Sequence, residues 1–234
     1  MRQEPLNKYI KMITDYRYTH TTYTQLMKED LTEYDCSKCG AKESTKYYSH
    51  YERHVISFVP DILAKIYESE TGQEGIDTES IANITNELYT DTLLDVFRVK
   101  CESCNATHAI LPGDVVPYRR YSLLSMLAIV KVMYQREDSI GKTSKHLQLS
   151  WQYMLSLLKQ WISHLHSMAL LMRTVYQECI NEQSIEARKR VLEFVCVYRG
   201  GFPRNYQKEF KKIIFMTHSQ IHKGRKIAHG MAVG

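Results

Sequence analysis

The sequence predicts an α+β fold: a β-ribbon held at one end by four cysteines and carrying an acidic insert, then a mainly helical domain. Three observations lead there. Two Cys-x-x-Cys pairs, Cys36/Cys39 and Cys101/Cys104, stand 61 residues apart. Aromatic and β-branched runs flank each pair, whereas from Tyr118 onward the apolar period lengthens to about 3.6 residues. Finally, serines stand where the helices of the second half would begin. A chain of 234 residues with 44% hydrophobic and 24% charged side chains is too apolar for wholesale disorder and long enough for one large domain or two small ones. Its most apolar stretch, Leu123 to Met133, is interrupted by Ser125 and Lys131, so no membrane span is expected. The opening MRQEPLNKYIKM has no apolar signal core, and the expectation is a cytoplasmic protein.

Residues 1–33 are expected to form an arm or helix packed on the ribbon, with Tyr9, Tyr16, Tyr18, Tyr23 and Tyr34 in or beside this segment and few periodic aliphatics. The ribbon is expected over 34–117. A Cys-x-x-Cys turn converges two sulfurs on one cation, and the residue after the second sulfur needs a left-handed backbone, which Gly40 and Asn105 accept. Two such knuckles make a closed tetrahedral site, so Cys36, Cys39, Cys101 and Cys104 are expected to bind a structural Zn2+ with Zn–S near 2.3 Å. A redox pair or four unrelated buried cysteines are the alternatives; Cys179 and Cys196 lie in apolar helical pattern and read as core.

Strands are expected over Lys46–Val59, Leu93–Lys100 and Thr107–Leu111, the last ended by Pro112-Gly113. Between them, residues 60–95 hold nine acids (Asp61 to Asp95) and one base, Lys65. Residues of about 60–92 are expected to form an inserted loop with one or two short helices, merely solvated or else mimicking DNA or contacting a partner, and away from any nucleic-acid face.

In the helical domain, 118–183, Ser122 caps a helix through Leu123–Met133, Ser139 a short helix Ile140–Leu147, and Ser150 a long helix. Helix, short helix, tight turn and capped helix is the layout of a helix-turn-helix. Trp151, Met154, Leu155, Leu158, Trp161, Ile162, Leu165, Met168, Ala169, Met172, Val175, Tyr176 and Cys179 step by threes and fours and are expected to share the core face. Gln152, Tyr153, Ser156, Lys159, Gln160 and Ser163 then point outward, and the first four are candidate DNA contacts. Plain packing of a three-helix bundle is the alternative.

The region 184–234 is expected to be a basic helical segment with a Gly-interrupted tail: helix Ile185–Tyr198, then Tyr206 to about Ser219. Between Ser184 and Lys226 it carries eleven Lys/Arg against three Glu. Arg188, Arg204, Lys208 and Lys211 are candidate phosphate contacts, their alternative being a solvated face. Net charge is +5 overall, and a basic body suits a polyanion because each neutralised phosphate releases counterions.

The CSKCG and CESCNATHAILP knuckles, followed by PYRRYSLLSMLAIVKVMY leading into the capped helices, resemble the non-catalytic front end of insertion-sequence transposases. They are especially similar to an uncharacterised family of bacterial zinc-ribbon proteins from mobile-element neighbourhoods. The resemblance covers about residues 34–60 and 94–165. It implies DNA binding in the service of a transposon or other mobile element, with a recombinase or transposase as candidate protein partner. The acidic insert departs from that pattern. The chain is also expected to lack a recombinase core and therefore strand transfer.

No catalytic constellation stands out, and a non-enzyme is expected. Gly141-Lys142-Thr143-Ser144 imitates the end of a P-loop, but Arg136 occupies the place of its first glycine. His164, His166, His218, His222 and His229 lack a second ligand spacing, and Asp114 and Asp138 fall in turns. The rival from another class is a zinc-stabilised protein-interaction adaptor with no DNA contact; an RNA-binding ribbon is third.

Overall fold

The computed structural model describes residues 12–28, 31–68, 76–136, 138–178, 180, 184–199, 201–210 and 212–216. The fold is α+β, with one four-stranded sheet and seven α-helices among the described residues. The strands are β1 (Met12–Asp15), β2 (Thr45–Phe58), β3 (Tyr89–Cys101) and β4 (Thr107–Pro112), in the order β1-β4-β3-β2. Helices α1 (Pro60–Glu68) and α2 (Thr78–Ala82) lie between β2 and β3. After the sheet come α3 (Leu123–Gln135), α4 (Ile140–His146), α5 (Trp151–Val175), α6 (Ile185–Val197) and α7 (Phe202–Phe210). Two compact units emerge: one of the described residues up to His54 with Leu93–Tyr118 and Met216, the other of Val55–Thr92 with Arg119–Phe215.

In the first unit, β4 pairs antiparallel with β3 through Arg98–Ala109, Val99–His108 and Lys100–Thr107. On its other side it pairs in parallel with β1, Met12 opposite Ala109. The arm thus contributes a strand rather than a helix, followed by short 3-10 turns at Tyr23–Lys28 and Leu31–Glu33. Tyr23 is 1% exposed. Its hydroxyl accepts the Phe97 N–H (2.9 Å) and donates to the Ile110 carbonyl (2.7 Å), bridging the β3–β4 ladder just where direct pairing stops. Its ring stacks on Phe97 with centroids 5.2 Å apart. Just past β4, position 113 needs glycine because a Cβ there would meet Tyr16 Cα at 2.8 Å.

The second unit is organised around α3. Ser122 caps it by accepting the Ser125 N–H, and Leu123, Met126 to Val130, Val132 and Met133 are buried. Ser139 and Ser150 cap α4 and α5 in the same way, as expected, and Ser184 caps α6. Between α4 and α5 the chain closes in a Schellman motif. Gln148 sits at φ 51°, Leu149 N–H reaches Ser144 O (3.0 Å), and Gln148 N–H reaches Lys145 O (3.1 Å). Lys131, a polar interruption in the sequence of α3, is buried and ion-paired with Glu193 of α6 at 3.1 Å.

The acidic segment does form two short helices, but its described residues are not a loop hung on the ribbon. They cluster with the helices of the second unit. Ile62 and Ile66 of α1 are fully buried and α1 packs on α3; Thr78 and Ile81 of α2 are buried and α2 packs on α4. Thr78 Oγ1 lies 2.8 Å from His146 Nδ1, and Tyr89 donates to the Leu147 carbonyl at 2.6 Å. An apolar face at helical spacing thus survives inside an acidic composition, and that face decides the packing. Toward the C-terminus, α7 ends at Phe210 rather than near Ser219. Cys196 is buried, as expected of a core thiol, while Cys179 and Tyr9 lie outside the described residues. No helix among the described residues is long and apolar enough to cross a membrane.

Candidate metal centre and nucleic-acid interface

Each knuckle is built by the same local hydrogen bonding. Gly40 N–H donates to Cys36 O (2.8 Å) and Cys36 N–H to Ala41 O (2.9 Å); Asn105 N–H donates to Cys101 O (2.9 Å) and Cys101 N–H to Ala106 O (2.8 Å). Gly40 and Asn105 take the expected left-handed backbone, φ 74° and 56°. Cys101 closes β3, so strand pairing holds the second knuckle against the first; a bond from Glu102 N–H to Ser44 O (2.7 Å) ties the two together.

The four sulfurs of Cys36, Cys39, Cys101 and Cys104 all lie within 4.8 Å of one another. Cys36–Cys104 is 3.6 Å and Cys39–Cys101 is 3.7 Å. A tetrahedron of thiolates with metal–sulfur bonds near 2.3 Å has edges of about 3.8 Å, so the donor set and its spacing fit a metal ion. Cys36 and Cys101 are buried, Cys104 partly so, and Cys39 is exposed.

Two polar side chains outside the cluster address its buried sulfurs. His108 of β4, 2% exposed, places Nε2 3.3 Å from Cys36 Sγ and Nδ1 3.2 Å from Ser37 Oγ. Ser44 Oγ is 3.3 Å from Cys101 Sγ. Burial pushes the Cys36 thiol up, and the N–H groups of Cys39 and Lys38 only partly oppose it. At Cys101 burial acts the same way but is outweighed by Ser44 and the N–H groups of Cys104 and Ser103, which hold that thiol below its usual range. Sequence reasoning missed both His108 and Ser44. His108 was within reach of it, four residues past Cys104 on a strand whose register runs back into the cluster.

On α5 the exposed and buried faces only partly match expectation. Gln152, Lys159 and Ser163 are exposed. Tyr153 and Ser156 are half-buried: the Tyr153 ring lies 5.1 Å from that of Tyr121, and Ser156 accepts the Gln160 amide at 3.1 Å. Burial raises the Tyr153 phenol above its usual range. Gln160 itself is buried and its amide oxygen accepts from Arg119.

Of the expected core face of α5, Met154, Trp161, Leu165, Met168, Ala169 and Met172 are buried, but Trp151, Leu155, Leu158 and Ile162 are not. Trp151 and Ile162 are 49% and 41% exposed and Leu155 and Leu158 half-buried, whereas Met154, Leu157, Trp161, Leu165 and Met168 form the buried row. Both rows are apolar at spacings of three and four, so periodicity alone did not choose between them. The deciding partners are distant in sequence: Phe215 against Trp161 (centroids 6.2 Å) and Tyr206, whose hydroxyl lies 2.6 Å from His164 Nδ1. Arg204 and Lys208 of α7 are exposed and Arg188 of α6 is half-buried; both helices pack on α5. Lys211 lies outside the described residues.

Comparison with protein-family models gives one match, a domain of unknown function (DUF6431), over residues 76–148. This is under a third of the chain. The matched segment runs from the start of α2 to the Schellman turn after α4. It therefore contains the second knuckle and His108 but neither Cys36, Cys39 nor α5. Comparisons with curated proteins and with solved structures find no match.

Proposed function

We propose that this chain is a zinc-dependent DNA-binding protein in which α4, the Schellman turn and α5 act as a helix-turn-helix. The observation that carries the reading is the start of α5. Its first turn is capped by Ser150 behind a tight four-residue connection, and Gln152 and Lys159 stand exposed on its first half. A helix of this kind enters the major groove N-terminus first. Gln152 has the paired donor and acceptor that match adenine, and Lys159 suits a phosphate. Arg204 and Lys208 would hold the backbone without reading sequence. Tyr153 and Ser156, half-buried, support the helix from behind in this account rather than touching bases. Zn2+ on Cys36, Cys39, Cys101 and Cys104 would have a structural role. The four-thiolate donor set suits zinc, closes the coordination sphere and leaves no position for substrate.

The resemblance to transposase front ends supports an accessory or regulatory role in a mobile element, in the cytoplasm, with a recombinase as protein partner and no strand transfer by this chain. A second reading, a protein-interaction adaptor, is favoured by one observation: Trp151 and Ile162 of α5 present half-exposed apolar surface. Selection of binding sites from a randomised duplex pool separates the two. DNA reading predicts an enriched motif that loses preference at one base when Gln152→Ala is introduced, with about 1–3 kcal/mol of discrimination at stake. No enrichment, with wild-type and variant behaving alike, leaves the adaptor reading standing.

A further inference from the structure

The proposed duplex contacts leave the most aromatic exposed surface of the first unit unused. Along β2, every residue from Lys46 to Glu52 except Ser49 is exposed, and β2 is the edge of the sheet. Three of those residues are tyrosines: Tyr47, Tyr48 and Tyr51 are 51%, 52% and 38% exposed. Cations lie over one of them, Tyr48. The Arg98 guanidinium lies 5.5 Å and the Lys100 ammonium 6.0 Å from the centroid of Tyr48, both reaching across from β3. Arg98 is held there by a 3.0 Å bond to Thr107. The Tyr47 hydroxyl is 2.9 Å from His50 Nδ1, which steadies that ring at the strand edge. Of the nearby acids, Glu102 is already tied to Lys46 at 2.5 Å, while Glu52 in the exposed run of β2 and Asp95 of β3 are also exposed.

An exposed tyrosine ring with two cations beside it matches one ligand chemistry: a polyanion that also carries free planar faces. We infer that the β2–β3 surface around Tyr48, Arg98 and Lys100 binds single-stranded DNA, with a base stacked on Tyr48 and phosphates against Arg98 and Lys100. Stacking on a protein ring requires unpaired bases, because those of a duplex are stacked on one another. An acidic peptide would satisfy the cations but offer nothing to the rings. The choice of a single strand rests on this surface alone. The choice of DNA over RNA rests on the duplex-DNA reading of α5.

Fluorescence anisotropy of the full chain tests this, using labelled dT15, U15 and a 15-base-pair duplex, with polyglutamate as competitor. The expected result is binding of dT15 that polyglutamate does not displace at equal charge. Tyr48→Ala should weaken dT15 about tenfold, the loss of roughly one base stack, while Tyr48→Phe keeps it. Lys100→Gln, at a solvent-facing position, should lower the salt slope for dT15 by about 0.7, one phosphate on a single strand. Neither Tyr48→Ala nor Lys100→Gln should change duplex binding, whereas Lys159→Ala should lower duplex binding only. The inference is overturned if Tyr48→Ala and Lys100→Gln leave dT15 binding unchanged, if U15 binds more tightly than dT15, or if polyglutamate competes equally. Loss of duplex binding alone would count against the α5 reading, and tighter binding of dT15 than of U15 would then carry this one by itself. Should Tyr48→Ala melt below the assay temperature, Lys100→Gln decides.

Discussion

Replacing Glu193 should destabilise the helical unit far more than replacing Lys131, although the two form one ion pair. Lys131 is 1% exposed; its ammonium lies 3.1 Å from Glu193 Oε1, 3.3 Å from the Tyr67 carbonyl and 5.9 Å from the Tyr67 ring centroid. The Glu193 side chain is 23% exposed. At an effective dielectric of about 20, charges this close attract by about 5 kcal/mol, an amount that desolvation of the lysine largely offsets. Glu193→Ala removes the compensation and leaves a buried ammonium. The expected loss is about 3 kcal/mol, the low end for breaking a buried pair because Glu193 is partly exposed. Lys131→Met removes the charge and keeps the volume of the stem, and the carboxylate left behind can turn toward water. Its cost should stay within about 1 kcal/mol, with a gain possible. Urea denaturation followed by circular dichroism reads the difference. With a slope of about 2 kcal/mol/M, Glu193→Ala should lower the midpoint by roughly 1.5 M and Lys131→Met by less than about 0.5 M. Equal losses in the two variants would mean that removing Glu193 does not leave Lys131 as an uncompensated buried charge.

Cys101→Ser should abolish metal binding and unfold the first unit, since a structural zinc site supplies on the order of 10 kcal/mol. Hydrogen exchange should then rise across β3 and β4 up to Tyr118 while α3 and α5 stay protected. Gln148→Gly should raise stability by about 1 kcal/mol, because a left-handed backbone costs a side chain roughly that much; a lower melting temperature would contradict the capping geometry. Asp15 gives an acid-sensitive contact. Burial raises its carboxyl, but the Arg17 side chain, the Tyr34 hydroxyl and the Arg17 N–H outweigh burial and hold it below its usual value. A carboxyl depressed in the folded state contributes stability above its unfolded value, about 3.9, and that contribution fades as pH falls through the folded value. Melting temperature should therefore fall more steeply below about pH 4 in the native chain than in Asp15→Asn.

What could be read from the sequence is what depends on neighbours along the chain. Ser122, Ser139 and Ser150 were recognisable as caps because a cap bonds an N–H three residues away. Gly40 and Asn105 were recognisable as knuckle residues because the left-handed turn is local. What could not be read depends on distant partners. Met12–Asp15 joins the sheet only because β4 offers it an edge. The acidic segment belongs with the helices because Ile62, Ile66 and Ile81 find α3 and α4. The expected core face of α5 spans two apolar rows, and Phe215 and Tyr206, forty or more residues away, select the one that is buried. His108 went unnoticed for a related reason: its value lies in the β3–β4 register that carries it to Cys36.

In the proposed complex Lys159, Arg204 and Lys208 meet DNA phosphates while Gln152 meets a base. The salt dependence of duplex binding tests it most directly. Three neutralised phosphates predict that log K falls with log salt at a slope of about −2.7, and Lys208→Ala should flatten that slope by about 0.9 for every duplex sequence tried. Affinity that does not change with salt, or a slope unaltered by Lys208→Ala, would contradict the account.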